Sequence, residues 1–149
     1  DVYKRQLYRE ADSASTTLTI NQTSNDEMWA HIMEFSGHDP TTPVEAGYTG
    51  TQWTSGSTTV SSAQIWFDDS PSVFVTGDRA YLAVGYDGAD STFTTATGWT
   101  KAADILSGSG GNDASGTVQY RDTEPPSANA VTFSANEQAV SLDLIIHAE

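Results

Sequence analysis

Three histidines, 20 carboxylates and no cysteine make up the reactive side chains of this 149-residue chain. Ser36, His38 and Asp39, in the run SGHD, supply the three side-chain types of a hydrolase triad. Neighbours on one turn do not acquire triad geometry, in which the imidazole lies between a hydroxyl and a carboxylate brought from separate elements. No G-x-S-x-G stretch offers a nucleophile elbow. Without cysteine there is no thiol nucleophile and no disulfide framework, and the redox compartment stays unread. His31 falls in an apolar alternation and reads as a core or edge histidine, while His147 lies at the far end of the sequence. No H-x-H or H-E-x-x-H pairing brings two imidazoles together, so no zinc site is expected. The sequence predicts a protein without catalytic residues.

Carboxylates could still serve sugars or metals. Glycoside hydrolysis needs two acids on either side of the scissile bond. Glu34, Glu45, Asp68 and Asp69 are candidates by type alone, and spacing selects no pair among 20 acids. Calcium takes several oxygen ligands from loops. Asp87 and Asp90, either side of Gly88-Ala89, are the calcium candidates, with Asp68-Asp69 and Asn112-Asp113 as further acidic turns. None follows the D-x-D-x-D-G spacing, and no other cofactor is expected. Tyr48 and Trp53, in EAGYTGTQWTSG, are the candidate glycan contacts, because an exposed aromatic ring in a polar loop can stack on a sugar. The same rings could cap the core or pack against a neighbouring subunit. Asn21-Gln22-Thr23 is a glycosylation sequon that matters only in a suitable host.

Composition limits the partners. The formal charge of −14, from 20 acidic against 6 basic residues, repels phosphate backbones and anionic headgroups. Nucleic acid and membranes are therefore not expected as partners. The same charge keeps a β-rich surface soluble and discourages adventitious strand pairing. No apolar run approaches the ~18 residues of a membrane helix, and no signal peptide is visible. The first six residues, DVYKRQ, hold two of the six basic side chains and resemble adaptor sequence read as protein; residues 1–6 are expected to be a non-native leader.

The elements that would carry these groups are strands. Ser and Thr number 37, Gly 12 and Pro 5, and no stretch shows an apolar stripe of helical period beyond two turns. Strands are predicted at 2–9, 17–21, 28–35, 58–67, 78–86, 92–95, 117–122, 130–134 and 140–147, with a short one at 45–48. Strand 78–86 is the clearest. Ala80, Leu82, Val84 and Tyr86 fall on one face, and Arg79, Tyr81, Ala83 and Gly85 on the other. Short strands separated by Gly, Pro, Asn and Asp turns predict an all-β fold, an antiparallel β-sandwich or jelly roll, in one domain over 7–149.

The chain also echoes itself. Tyr8-Arg9-Glu10 matches Tyr120-Arg121-Asp122 at an offset of 112. Leu18-Thr19-Ile20 matches Val131-Thr132-Phe133 at 113, and Trp29, His31, Met33 and Phe35 match Val140, Leu142, Leu144 and Ile146 at 111. An internal pseudo-repeat is expected, with 7–43 closing a first half and 71–149 forming a second. The four arginines, Arg5, Arg9, Arg79 and Arg121, are expected to pair internally, with Asp122 or Asp78 as natural partners for Arg121 and Arg79. Trp99 is expected to plug the core at the start of a strand.

GDRAYLAVGYDG, then GWT, VQYRD, VTFS and LDLIIHAE in succession, with FSGHDPTTP in the opening half, resemble a two-half β-sandwich module of phage virion and bacterial surface proteins. The resemblance implies a fold and a setting, not an activity. On it, Tyr8, Arg9, Trp99, Tyr120 and Arg121 are structural motif residues. The chain would be a non-enzymatic structural or interaction module of an extracellular assembly: a virion decoration or tail-fibre protein, or a surface-filament subunit. Its partners would be copies of itself or other subunits. The alternative is a carbohydrate-binding module of a surface protein or hydrolase.

Overall fold

A computed structural model describes residues 17, 19–21, 30–47, 57–62, 74–87, 92–105, 114–124, 129–137 and 139–149. Strands alone make up its regular structure: β1 (Val44–Gly47), β2 (Ser57–Ser62), β3 (Arg79–Asp87), β4 (Thr100–Ile105), β5 (Ala114–Arg121), β6 (Asn129–Glu137) and β7 (Ala139–Ile146). The all-β expectation holds for the described residues. Five strands form one antiparallel sheet in the order β1-β7-β3-β5-β4, and β2 pairs with β6 in a second, two-stranded sheet.

Strand β3 is central because its sequence suits burial on both sides. Ala80, Leu82 and Val84 face one way and join Ile145 of β7, Val131 of β6, Phe93, Ala96 and Trp99. Tyr81 faces the other way, with Val118 and Leu144, and Met33, Phe35, Val44, Tyr120 and Ile146 pack around them. Period-two alternation in a central strand thus supplies two cores at once. Register enforces it: Leu82 lies opposite Gln119 on β5 and Asp143 on β7, and a one-residue slip would exchange the two faces.

Two irregular segments complete the layers. The stretch 92–99 lies over the first face. Residues 30–36 form a strap across the second, with His31, Met33 and Phe35 half-buried and Ala30, Ile32, Glu34 and Ser36 exposed. The strand expected over 28–35 is not a strand from residue 30 onward. Its alternation orients side chains onto the sheet face, but the backbone of 30–36 takes no strand conformation. Similarly, 92–95 is irregular, although the Thr94 N–H donates to the Thr132 carbonyl of β6 at 2.9 Å, a single strand-like rung. β4 follows the strand start expected at Trp99, but its extent to Ile105 was not foreseen. Its residues TKAADI are mostly exposed, so no alternation marks it.

Strands β1 and β4 close the five-stranded sheet at its edges. β1 is only four residues long. β4 is bulged between Lys101 and Ala103 and carries Lys101 and Asp104, which pair at 2.8 Å. Brevity, a bulge and an edge lysine are devices that blunt strand addition.

Core identity and exposure predict opposite responses to truncation. Leu82, 1% exposed, should cost about 2–5 kcal/mol on Leu82→Ala. Ile32, 74% exposed, should change stability by less than about 0.5 kcal/mol on Ile32→Ala. Urea melts of both variants test the assignment.

Candidate functional site

The chemically capable groups converge where residues 37–43, 75–78 and 147–149 meet. A tight turn opens the cluster: the Asp78 N–H donates to the Val75 carbonyl at 3.1 Å, with Gly77 in its third position at φ 108°. Only glycine takes that conformation readily. A Cβ there would also meet the Ala148 Cβ at 2.9 Å, so no side chain fits. The turn delivers Asp78 into the interior, 1% exposed, at the start of β3. Its Oδ2 accepts from the Val75 N–H at 3.0 Å and lies 2.9 Å from His147 Nδ1; its Oδ1 accepts from the Ala148 N–H at 2.9 Å.

The electrostatics follow from these contacts. Burial pushes the Asp78 carboxyl up, but the Val75 and Ala148 amides and the His147 ring outweigh it and hold it below the ordinary value. An ionised carboxylate only accepts, so His147 Nδ1 carries the proton it donates to Oδ2. Backbone bonds extend the cluster: Asp39 N–H to the His147 carbonyl at 2.9 Å, His147 N–H to the Pro43 carbonyl at 3.1 Å, and Glu149 N–H to the Gly37 carbonyl at 3.1 Å. His38 bridges Ala148 in antiparallel fashion.

The sequence candidates are distributed differently. Ser36 is exposed, His38 pairs through its backbone, and the Asp39 carboxylate accepts the Thr41 and Thr42 N–H groups at 2.6 and 3.0 Å. Those amides, Thr42 foremost, hold the Asp39 carboxyl below its usual range. In the SGHD run the Asp39 carboxylate is thus taken up by the amides that follow it. His31 sits on the strap, where burial pulls its imidazole down and nearby Asp104 opposes this. Asp87 ends β3 opposite Ala114. Asp90, Tyr48, Trp53, Tyr8 and Arg9 lie outside the described residues, as do Asp68, Asp69, Asn112 and Asp113. Among the described residues no three His, Asp or Glu side chains cluster to hold a metal ion, and no helix is long and apolar enough to cross a membrane.

The motif residues on the second half are brought together. Trp99, 7% exposed, follows a second glycine turn, closed by the Trp99 N–H to the Ala96 carbonyl at 3.0 Å with Gly98 at φ 80°. Arg121 lies over the Trp99 ring at 5.8 Å and donates to the Thr123 carbonyl and hydroxyl. Arg79 pairs with Asp122 and stacks over Tyr120 at 4.7 Å. One expected pairing is thus made, Arg79 with Asp122. Arg121 takes Thr123 and Trp99 instead, because Asp78 is turned inward to His147. Arg79 and Asp122 are 45% and 59% exposed, so their pair contributes only about 0–1 kcal/mol.

Sequence reasoning missed the Asp78–His147 pair, whose members are 69 residues apart. It also missed Gln119, 0% exposed, whose Oε1 accepts from the Ala96 N–H and whose Nε2 donates to the Thr94 carbonyl, both at 2.8 Å. The one available signal for Asp78 was the Gly-Asp dipeptide immediately before the clearest strand.

No protein-family model, no curated protein and no solved structure matches the chain.

The depressed Asp78 carboxyl sets a pH dependence with a definite sign. Its contribution is complete above the unfolded value, about 3.9, and is lost as pH falls through the lower folded value. Asp78→Asn should lower stability at pH 7 by on the order of 2–3 kcal/mol and flatten the acid limb below about pH 4. Denaturant midpoints across pH 2–7 measure both. Gly77→Ala should also destabilise, at every pH, because its defect is steric.

Proposed function

We propose that the chain is a β-sandwich structural module that acts by assembly, as a subunit of an extracellular structure such as a virion decoration, a tail fibre or a surface filament. The observation that carries this reading is how the buried polar groups are used. Asp78 spends its carboxylate on Val75, Ala148 and His147. Gln119 spends its amide on Thr94 and Ala96, and the Thr117 hydroxyl bonds the Ala103 carbonyl. In each case a polar group capable of chemistry is committed to holding one stretch of backbone against another. That is the economy of a scaffold, in which order rather than turnover is the product.

The sandwich reading rests on Val131 of β6, which packs into the same core as Ala80, Leu82, Val84 and Ile145. That contact supports a β2–β6 pair packed over the larger sheet. The −14 charge supports a soluble subunit that associates only at built surfaces. The likeness of the GD and GWT segments to phage and surface modules supports the extracellular setting, and both segments are glycine turns that launch strands.

Sedimentation velocity and negative-stain microscopy of the purified chain, from micromolar to millimolar concentration, test the reading. Discrete oligomers or regular fibres are the expected result. A single 15.9 kDa species throughout, together with retention by a glycan panel through Tyr48 and Trp53, would replace it with a carbohydrate-binding module.

A further inference from the structure

Asp39 and Pro40 form the only Asp–Pro peptide bond in the sequence. Its nitrogen belongs to a tertiary amide without an N–H, and in acid it leaves more readily than an ordinary peptide nitrogen. The Asp39 side chain lies against this bond. Its Oδ1 accepts the Thr41 N–H at 2.6 Å and the Thr42 N–H at 3.0 Å. The first of these closes an Asx turn, which folds the carboxylate back over the peptide joining Asp39 to Pro40. Both bonds fall on Oδ1, so Oδ2 is the oxygen that can approach the Asp39 carbonyl carbon.

The same peptide is held from both sides. The Asp39 N–H donates to the His147 carbonyl at 2.9 Å, and the His147 N–H donates to the Pro43 carbonyl at 3.1 Å. Val44 then opens β1 opposite Ile146 of β7. Proline adds a bias of Asp39 towards extended backbone. Carboxylate and target therefore keep one arrangement, where a free chain would sample many. The Thr42 and Thr41 amides, then the His147 and His38 imidazoles, outweigh burial and keep the carboxylate ionised further into the acid range. Asp78, bonded to His147, and Glu149, whose N–H donates to the Gly37 carbonyl, are the acids of the same corner. Pro40, Thr41 and Thr42 are exposed, so water reaches the bond.

We propose that this corner is a self-cleavage site, at which the Asp39 carboxylate cuts the Asp39–Pro40 bond in mild acid. Oδ2 adds to the Asp39 carbonyl carbon, and the bond from that carbon to the Pro40 nitrogen breaks. The nitrogen takes a proton from solvent and leaves as an amine, while Asp39 becomes a cyclic anhydride. A water molecule opens the anhydride to two carboxyl groups. The sum is hydrolysis of a single peptide bond, with no cofactor and no change of oxidation state. The His147 bonds and the β1–β7 pairing grip the chain on either side of the cut, so the nicked molecule keeps its fold. This site is independent of the assembly reading.

Incubating the full chain at about pH 4.5, above the ordinary Asp value of about 3.9, and weighing the products after denaturation tests the proposal. The expected fragments are 1–39 and 40–149, with masses that sum to the intact chain plus one water. They should form about tenfold faster, or more, than from the peptide SGHDPTTP in the same buffer, which lacks the hold on its carboxylate. Over the pH values at which circular dichroism shows the chain folded, its rate should keep rising below the point where the peptide levels off. Asp39→Asn should abolish the cut, and Pro40→Ala should slow it. In water enriched in heavy oxygen, label should enter the Asp39 side-chain carboxyl as well as its new α-carboxyl, because water can open the anhydride at either carbon. A chain that stays intact, a rate no faster than the peptide's, or label confined to the α-carboxyl would each overturn the proposal.

Discussion

The carboxylate of Asp78 is the constraint on which the arrangement of layers depends. A buried charge is tolerable only when hydrogen bonds replace its water, and here two backbone amides and an imidazole do so. Because those donors belong to residues 75 and 147–148, satisfying one charge fixes the segment after β7 against the turn before β3. Residues 37–43 then bond the same segment from the far side, through Asp39, Pro43 and Gly37. Three stretches distant in sequence are thereby placed in one corner. The end of the strap and the start of β1 both inherit their position from it. Gly77 belongs to the same constraint, since a methyl group there would displace Ala148 and with it one of the donors.

A different solution operates where residues 92–99 cover the sheet. A strand covered by a second sheet needs only apolar side chains, because the covering backbone satisfies itself. β5 is covered instead by the irregular stretch 92–99, whose amides and carbonyls have no ladder of their own. This explains why β5 carries Gln119 opposite Leu82, where an apolar residue would be the simple expectation; Thr117, opposite Val84, instead bonds the Ala103 carbonyl beside the β4 bulge. The Gln119 amide supplies one acceptor and one donor to consecutive groups of that stretch. Thr94 completes the attachment by bonding Thr132, which in turn pairs with Thr59 of β2. A polar clamp inside an apolar core costs desolvation, and complete pairing offsets it.

How much of this was legible follows from which forces act locally. β3 was read correctly because both its faces are buried by side chains that alternate along the strand itself. Ala80, Leu82 and Val84 and their counterparts Tyr81 and Ala83 needed no partner to be recognised. Only the start of β4 was legible, at Gly98-Trp99, for the converse reason: an exposed edge strand has no face to advertise along TKAADI. The strap gave a true signal with an incomplete meaning, since alternation reports which side chains are buried and not whether a neighbouring backbone pairs. Asp78 and His147 were unreadable because a pair 69 residues apart is made by topology, and nothing in the spacing records it. The second copy of the Tyr-Arg motif lies in β5, while Tyr8 and Arg9 fall outside the described residues, so the repeat rests on sequence alone.

These two solutions give the faces of the sheet unequal permanence. The first face is closed by the buried amide of Gln119, whose bonds must be broken for 92–99 to move, and by the exposed Thr94–Thr132 rung. The second face is closed by side-chain packing of the strap, whose exposed residues, Ile32 among them, already meet solvent. The Asp78 corner anchors only the end of the strap, at residues 37–39, and leaves the stretch before it dependent on Met33 and Phe35. Polar groups thus hold 92–99 to the sheet, whereas apolar contacts of Met33 and Phe35 hold 30–36 against its other face.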